Sequence, residues 1–158
     1  MQTVKNEILH SGRFRLTILL TALLSLSILA SCGTDQIPLQ PVRGKVLYRG
    51  KPAAQAYVVF HPENPSEQLQ KMRPRAETDA EGSFALTTFV PNDGAPAGDY
   101  RVTIRWPGPP PGANPNDPEM VQMGPDRLGE RYANPNSSGL RATVVAGEEC
   151  NLEPFVLQ

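Results

Sequence analysis

What this 158-residue chain has least of is the equipment for catalysis: it holds two histidines, two cysteines and one tryptophan. His10 precedes a predicted cleavage site, so His61 is the only histidine expected in the mature part. No H-E-x-x-H pair offers zinc ligands and no G-x-S-x-G elbow marks a Ser-His-Asp hydrolase. No metal or cofactor is therefore expected, the chain is read as a non-enzyme, and a small hydrolase built on His61 is the weakest functional reading. Charge is nearly balanced, at 15 basic against 16 acidic residues, with no run of one sign. Nothing in it points to a nucleic-acid partner. A long helical pattern is also missing. The chain is rich instead in turn formers, with 17 prolines and 13 glycines set at the ends of apolar stretches rather than in one tract. That spacing is the punctuation of an all-β protein.

The N-terminus reads as an address. Lys5, Arg13 and Arg15 precede an uncharged run from Leu16 to Ala30, the basic-then-apolar order of a secretory signal peptide. The run is 15 residues long, short of the roughly 20 that a spanning helix needs. Leu29-Ala30-Ser31-Cys32 follows directly. It resembles the bacterial lipobox, which implies cleavage after Ser31, a thioether-linked diacylglycerol on Cys32 and acylation of the new amine. Several acyl chains anchor a protein stably where one is marginal, since each buried methylene contributes about 0.8 kcal/mol. The alternatives are an ordinary signal peptide with an incidental cysteine, or a disulfide between Cys32 and Cys150.

Lipidation of Cys32 leaves Cys150 as a free thiol. With no neighbouring base to favour the thiolate, it reads as a partly buried, inert side chain, or as a partner in an intermolecular disulfide. Cleavage removes three of the basic residues and one of the acidic ones, leaving a net charge near −3. Residues 32–41, ending in "GTDQIPLQP", form a predicted tether.

From Val42 the pattern is that of strands. Val42, Gly44, Val46 and Tyr48 alternate with Arg43, Lys45, Leu47 and Arg49, as a strand with one wet face should. "RGKP" at 49–52 is a turn, and Ala56 to Pro62 is a second strand closed by proline. "RAETDAEGSFALTTF" reads as strand, turn, strand, with Asp79 and Gly82 suited to the reversal. Tyr100, Val102, Ile104 and Trp106 alternate with Arg101, Thr103 and Arg105 in the cleanest amphipathic strand. Pro107 to Pro125 is a proline-rich excursion that cannot lie inside a sheet. "RLGERYANPNSSGL" leaves room for a short helical turn, and "RATVVAG" and "NLEPFVLQ" close the chain as strands. Seven strands without a long helix predict a β-sandwich.

The order of the pieces "VRGKVLYRGKPAAQAYVVF", "TDAEGSFAL" and "AGDYRVTI" resembles the carboxypeptidase regulatory-like domain, over about residues 42–106. The tail "DRLGERYANPNSSGLRATVVAGEECNLEPFVL" is similar to the ending of small planctomycete lipoproteins of this type. The resemblance implies a seven-stranded, transthyretin-like Greek-key sandwich over residues 42–158, with 107–125 as a long loop, behind a lipoprotein signal peptide at 1–31. It implies a place in the bacterial cell envelope, facing the periplasm, and little chemistry. Asp79, Glu81 and Gly82 lack the full calcium-loop pattern and read as a hairpin turn. Of the aromatic residues, Tyr48, Tyr57, Tyr100 and Tyr132 read as packing groups. Trp106 shares the parity of Tyr100 and by that pattern faces the core, but it also abuts the proline-rich segment, where an exposed ring would stack on a sugar or peptide, and it is the candidate ligand-binding residue. The expected function is that of a lipid-anchored, non-catalytic binding or structural module, held to the membrane by Cys32. An envelope protein or glycan is the expected partner. The alternative is an accessory subunit of an envelope enzyme that binds carbohydrate or protein.

Overall fold

A computed structural model describes residues 37–66, 69–110, 112 and 124–158. The signal segment, Ser31 and Cys32 lie outside these residues, as does most of the proline-rich excursion.

The described chain is all-β. Its eleven strands are β1 (Leu39–Gln40), β2 (Val42–Tyr48), β3 (Lys51–Pro52), β4 (Tyr57–Pro62), β5 (Arg75–Glu77), β6 (Ser83–Ala85), β7 (Ala95–Pro96), β8 (Gly98–Arg105), β9 (Leu140–Val144), β10 (Cys150–Asn151) and β11 (Phe155–Leu157). Only a three-residue 3-10 turn, Leu69–Lys71, interrupts them. In "RLGERYANPNSSGL", which left room for a helical turn, residues 127–133 form successive turns closed by Arg131 N–H to Leu128 C=O and Ala133 N–H to Glu130 C=O.

Strand β2 is the axis of one sheet. It takes β6 and β3 antiparallel along one edge and β10 and β11 parallel along the other. The second sheet has the order β5-β4-β8-β9, antiparallel throughout. A bridge between Arg75 and Thr87 brings the edges of the two sheets together. β2 and β4 lie in different sheets and are not neighbours.

The β2–β3 connection is a two-residue hairpin. Arg49 and Gly50 both have positive φ, at 50° and 77°, the geometry whose twist matches that of the flanking strands. The fold also begins earlier than composition suggested. Within the predicted tether, β1 pairs with β7, Pro41 C=O accepts from Cys150 N–H, and the Gln40 side chain accepts from Gly147 N–H. Two prolines in a polar stretch do not prevent pairing at an edge, where no inner ladder donor is needed.

Alternate residues of the two sheets meet in one core: Val42 and Val46 of β2, Val58 and Phe60 of β4, Tyr100, Val102 and Ile104 of β8, Val144 of β9, and Phe155 and Leu157 of β11. Each large apolar side chain so buried contributes about 1.5–3 kcal/mol. Gly44 faces the same way as Val42 and Val46, and its missing side chain has a use. The Phe84 ring crosses β2 at that point and lies parallel to Phe155 on the far side, with centroids 6.3 Å apart and planes 9° from parallel. Tyr100 tilts against Phe60 and donates its hydroxyl proton to Pro96 C=O at 2.6 Å. Burial pushes its phenol up to about 12.

The residues behind the family resemblance thus serve the fold. Thr78 accepts from Ala56 N–H and donates to Ala53 C=O. Asp79 Oδ1 accepts from Glu81 N–H and Ser83 N–H at 3.0 and 2.7 Å, and Gly82 has φ 74° where a side chain would meet the Val46 carbonyl.

On the outer face of the second sheet, Arg101 and Arg141 stand directly opposite each other in the ladder. Like charges in that register repel. Glu63 resolves the conflict by pairing with both, at 3.2 Å to Arg101 Nε, while Arg101 Nη1 also donates to Asn136 Oδ1 at 2.6 Å.

Candidate functional site

The strands give the domain two distinct ends. At one, β2 begins, β8 begins and β9 ends; Ile37–Gln40, the turn after Leu86 and the β9–β10 connection gather there. At the other lie the β2–β3 hairpin, Trp106 just past β8, and residues 124–132. Over the seven residues of β2, at about 3.3 Å per residue, the ends stand ~20 Å apart.

Trp106 lies at the second end and is half-buried against the core. Its indole N–H donates to Ala54 C=O at 2.8 Å. Tyr48 meets it edge to face, with centroids 5.5 Å apart and planes at 62°, and the Arg127 guanidinium carbon stands 4.8 Å from its ring centroid. Arg49 lies over Tyr48 in the same way, at 5.1 Å. The result is a row of arginine, tyrosine, tryptophan and arginine, held by cation–π contact and an aromatic edge. A sugar cannot stack on the ring face that Arg127 occupies without displacing it, so Trp106 and Arg127 present a mixed aromatic and cationic surface. Its outermost groups are guanidinium ions. Neither Arg49 nor Arg127 pairs with a carboxylate among the described residues.

Asp126 builds this end. Its carboxylate accepts from Trp106 N–H at 2.8 Å, Leu128 N–H at 3.2 Å and Glu130 N–H at 3.0 Å, while Arg127 N–H donates to Trp106 C=O. Gly108 N–H donates to Pro125 C=O, so the proline-rich excursion leaves and returns through one neck. Beside the neck is a cleft of about 370 Å³ lined by Tyr57, Val59, Arg105, Pro107, Gly124 and Asp126. Arg105 is committed to Glu130 at 2.6 Å. Tyr57 has its phenol raised by burial and by the nearby Glu77 carboxylate. Sequence reading singled out Trp106 but missed Arg127 and Asp126. An aspartate followed by turn formers in "PDRLGE" was the available signal for the latter.

The remaining candidates are dispersed. His61 is on the outer face of β4, bonded through Nε2 to Thr103 Oγ1 at 3.0 Å. Burial, then the Arg73 charge, lowers its pKa. A broader cleft of about 650 Å³ opens between Arg43, Glu77, Asp79, Phe84, Asn92 and Asn151, but Arg43 is paired with Glu149 and Asp79 is occupied by its turn. Cys150 is half-buried with Sγ 3.4 Å from Thr143 C=O. Among the described residues no group of three or more His, Cys, Asp or Glu is placed to hold a metal ion. Comparison with family models, curated proteins and solved structures finds no match.

Proposed function

We propose that the chain is a lipid-anchored, non-catalytic binding module of a bacterial envelope, facing the periplasm, with Cys32 as its acylated N-terminus after cleavage behind Ser31. The polarity of β2 carries this reading. The segment downstream of Cys32 joins the fold at one end, and β2 leads from there to Tyr48, whose ring meets Trp106 at the other. An anchor at one end leaves the Arg49–Tyr48–Trp106–Arg127 row facing away from the membrane. Two guanidinium groups over aromatic rings suit a partner with carboxylates or other anionic groups, either an acidic envelope glycan or an acidic protein segment.

The transthyretin-like Greek key belongs to the same proposal. β3 and β6 share one edge of β2 and β10 and β11 share the other; with β5, β4, β8 and β9 they make seven columns in two sheets. That count supports the seven-stranded reading.

Two measurements test the proposal. Labelled palmitate should enter the native chain and not Cys32→Ala; label retained by the variant would overturn the anchor. Envelope glycan and protein fractions should be retained by the native chain and released by Arg127→Gln and Arg49→Gln, which leave the aromatic packing in place. Retention unchanged in both variants would remove the arginine row from the binding surface.

A further inference from the structure

We propose that the turn Thr88–Gly94 seats the domain on the bilayer, with Phe89 and Val90 inserted at the headgroup boundary; the inference rests on the lipid-anchor reading of Cys32. Phe89 and Val90 are 64% and 60% exposed, and Val145, on the neighbouring β9–β10 connection, is 50% exposed. These are three of the four large apolar side chains most open to water among the described residues. All three lie at the end of the domain where the chain from Cys32 arrives.

The placement follows from Gln40. Its backbone pairs with Ala95, its carbonyl lies so close to Gly94 that a side chain there would not fit, and its amide oxygen accepts from Gly147 N–H. The turn and the β9–β10 connection therefore flank the incoming strand. Four residues separate Cys32 from Ile37, and the five residue-to-residue steps, at about 3.3–3.6 Å each, span at most ~18 Å. A lipidated cysteine would hold this end of the domain within that distance of the membrane.

The turn is built to hold its tip out. Asp93 accepts from Thr88 N–H at 2.6 Å through Oδ1, and from Phe89 N–H and Val90 N–H at 2.9 Å through Oδ2. Thr88 Oγ1 donates to Gly94 C=O and Asn92 N–H donates to Thr87 Oγ1. Burial alone would raise the Asp93 pKa, but the backbone N–H donors outweigh it and hold the carboxyl below its usual range. From Leu86 to Gly98, Asp93 is the only charged residue, and its charge is turned onto the backbone. The tip can thus enter the interface without dehydrating a free charge. An exposed aromatic and a β-branched neighbour on a turn whose single charge is bonded to its own backbone are what interfacial insertion uses. Glu148 and Glu149 are exposed on the neighbouring connection, so apolar transfer to a neutral bilayer, rather than attraction to an anionic one, is the driving interaction.

The test uses the acylated full chain in phosphatidylcholine vesicles containing brominated lipid. The indole introduced by Phe89→Trp in a Trp106→Phe background should be quenched at least twofold with blue-shifted emission, and Val90→Trp in that background should behave alike. Native Trp106, at the far end, should be quenched little. Partial replacement of phosphatidylcholine by phosphatidylglycerol should leave the quenching unchanged or lower. Equal quenching at both ends, or an unquenched, water-like indole at positions 89 and 90 in a chain that has incorporated palmitate, would overturn the proposal while leaving the anchor intact. Absence of palmitate would overturn the anchor instead. Cross-linking between copies through position 89 without quenching would assign the tip to a second copy and likewise overturn it.

Discussion

Replacing Gly44 by alanine should destabilise the domain, and the reason can be worked from one contact. A methyl group at this position would lie 2.5 Å from Phe84 Cζ and 2.8 Å from Cε1. Phe84 is buried and faces Phe155 across β2, so its ring cannot simply swing into water. Forcing a methyl into a packed core costs about 1–3 kcal/mol. Against this, Gly44 is not among the positive-φ glycines, and an alanine that fits the backbone would stabilise by about 0.4–1 kcal/mol through the unfolded chain. The clash should win, for a net loss of ~1–2 kcal/mol. Urea denaturation with an unchanged m-value gives the number directly. A double-mutant cycle gives the cause: Gly44→Ala should cost markedly less in a Phe84→Leu background, because the shorter side chain vacates the space. If Gly44→Ala is as stable as the native chain, or if its cost is the same with Leu at position 84, the account of the crossing ring is wrong.

Thr78→Val should cost about 1–3 kcal/mol in the same assay, because it strands the buried Ala56 N–H, and Thr78→Ser should recover most of the loss. Glu63→Gln leaves Arg101 and Arg141 opposed without a shared carboxylate; the partly exposed site limits the loss to about 1 kcal/mol, and the loss should shrink in molar salt. Tyr100 makes stability fall at high pH: the unfolded phenol ionises near pH 10 while the folded one holds its proton to about 12, so the folded state binds more protons between those values. The drop should be ~2 kcal/mol and absent in Tyr100→Phe, a difference that pH-dependent urea melts will measure.

Local chemistry made much of this fold legible. The alternation of Tyr100, Val102 and Ile104 fixed which side of β8 is buried, because a strand turns successive side chains to opposite faces. Arg49-Gly50 and Asp79 to Gly82 announced their turns through backbone preference alone. What escaped was whatever depends on a neighbour distant in sequence. Leu39–Gln40 looked like tether because its partner, Ala95–Pro96, is more than fifty residues away. The strands holding Val58 and Ile104 were each legible, but not that these two residues face each other in one ladder.

By itself, then, the sequence determined the strand faces, the turns, the scarcity of catalytic groups and the motif at Cys32, all of which depend on residues within about ten positions of one another. Only the tertiary structure decided that Phe84 passes over Gly44 to reach Phe155, that Arg127 covers Trp106, and that Phe89 and Val90 stand beside the incoming chain with the aromatic row at the opposite end. Those facts depend on which strand lies next to which. Alternation sets which way a side chain faces; pairing sets what it meets, and that requires the closure of loops between segments far apart in the chain.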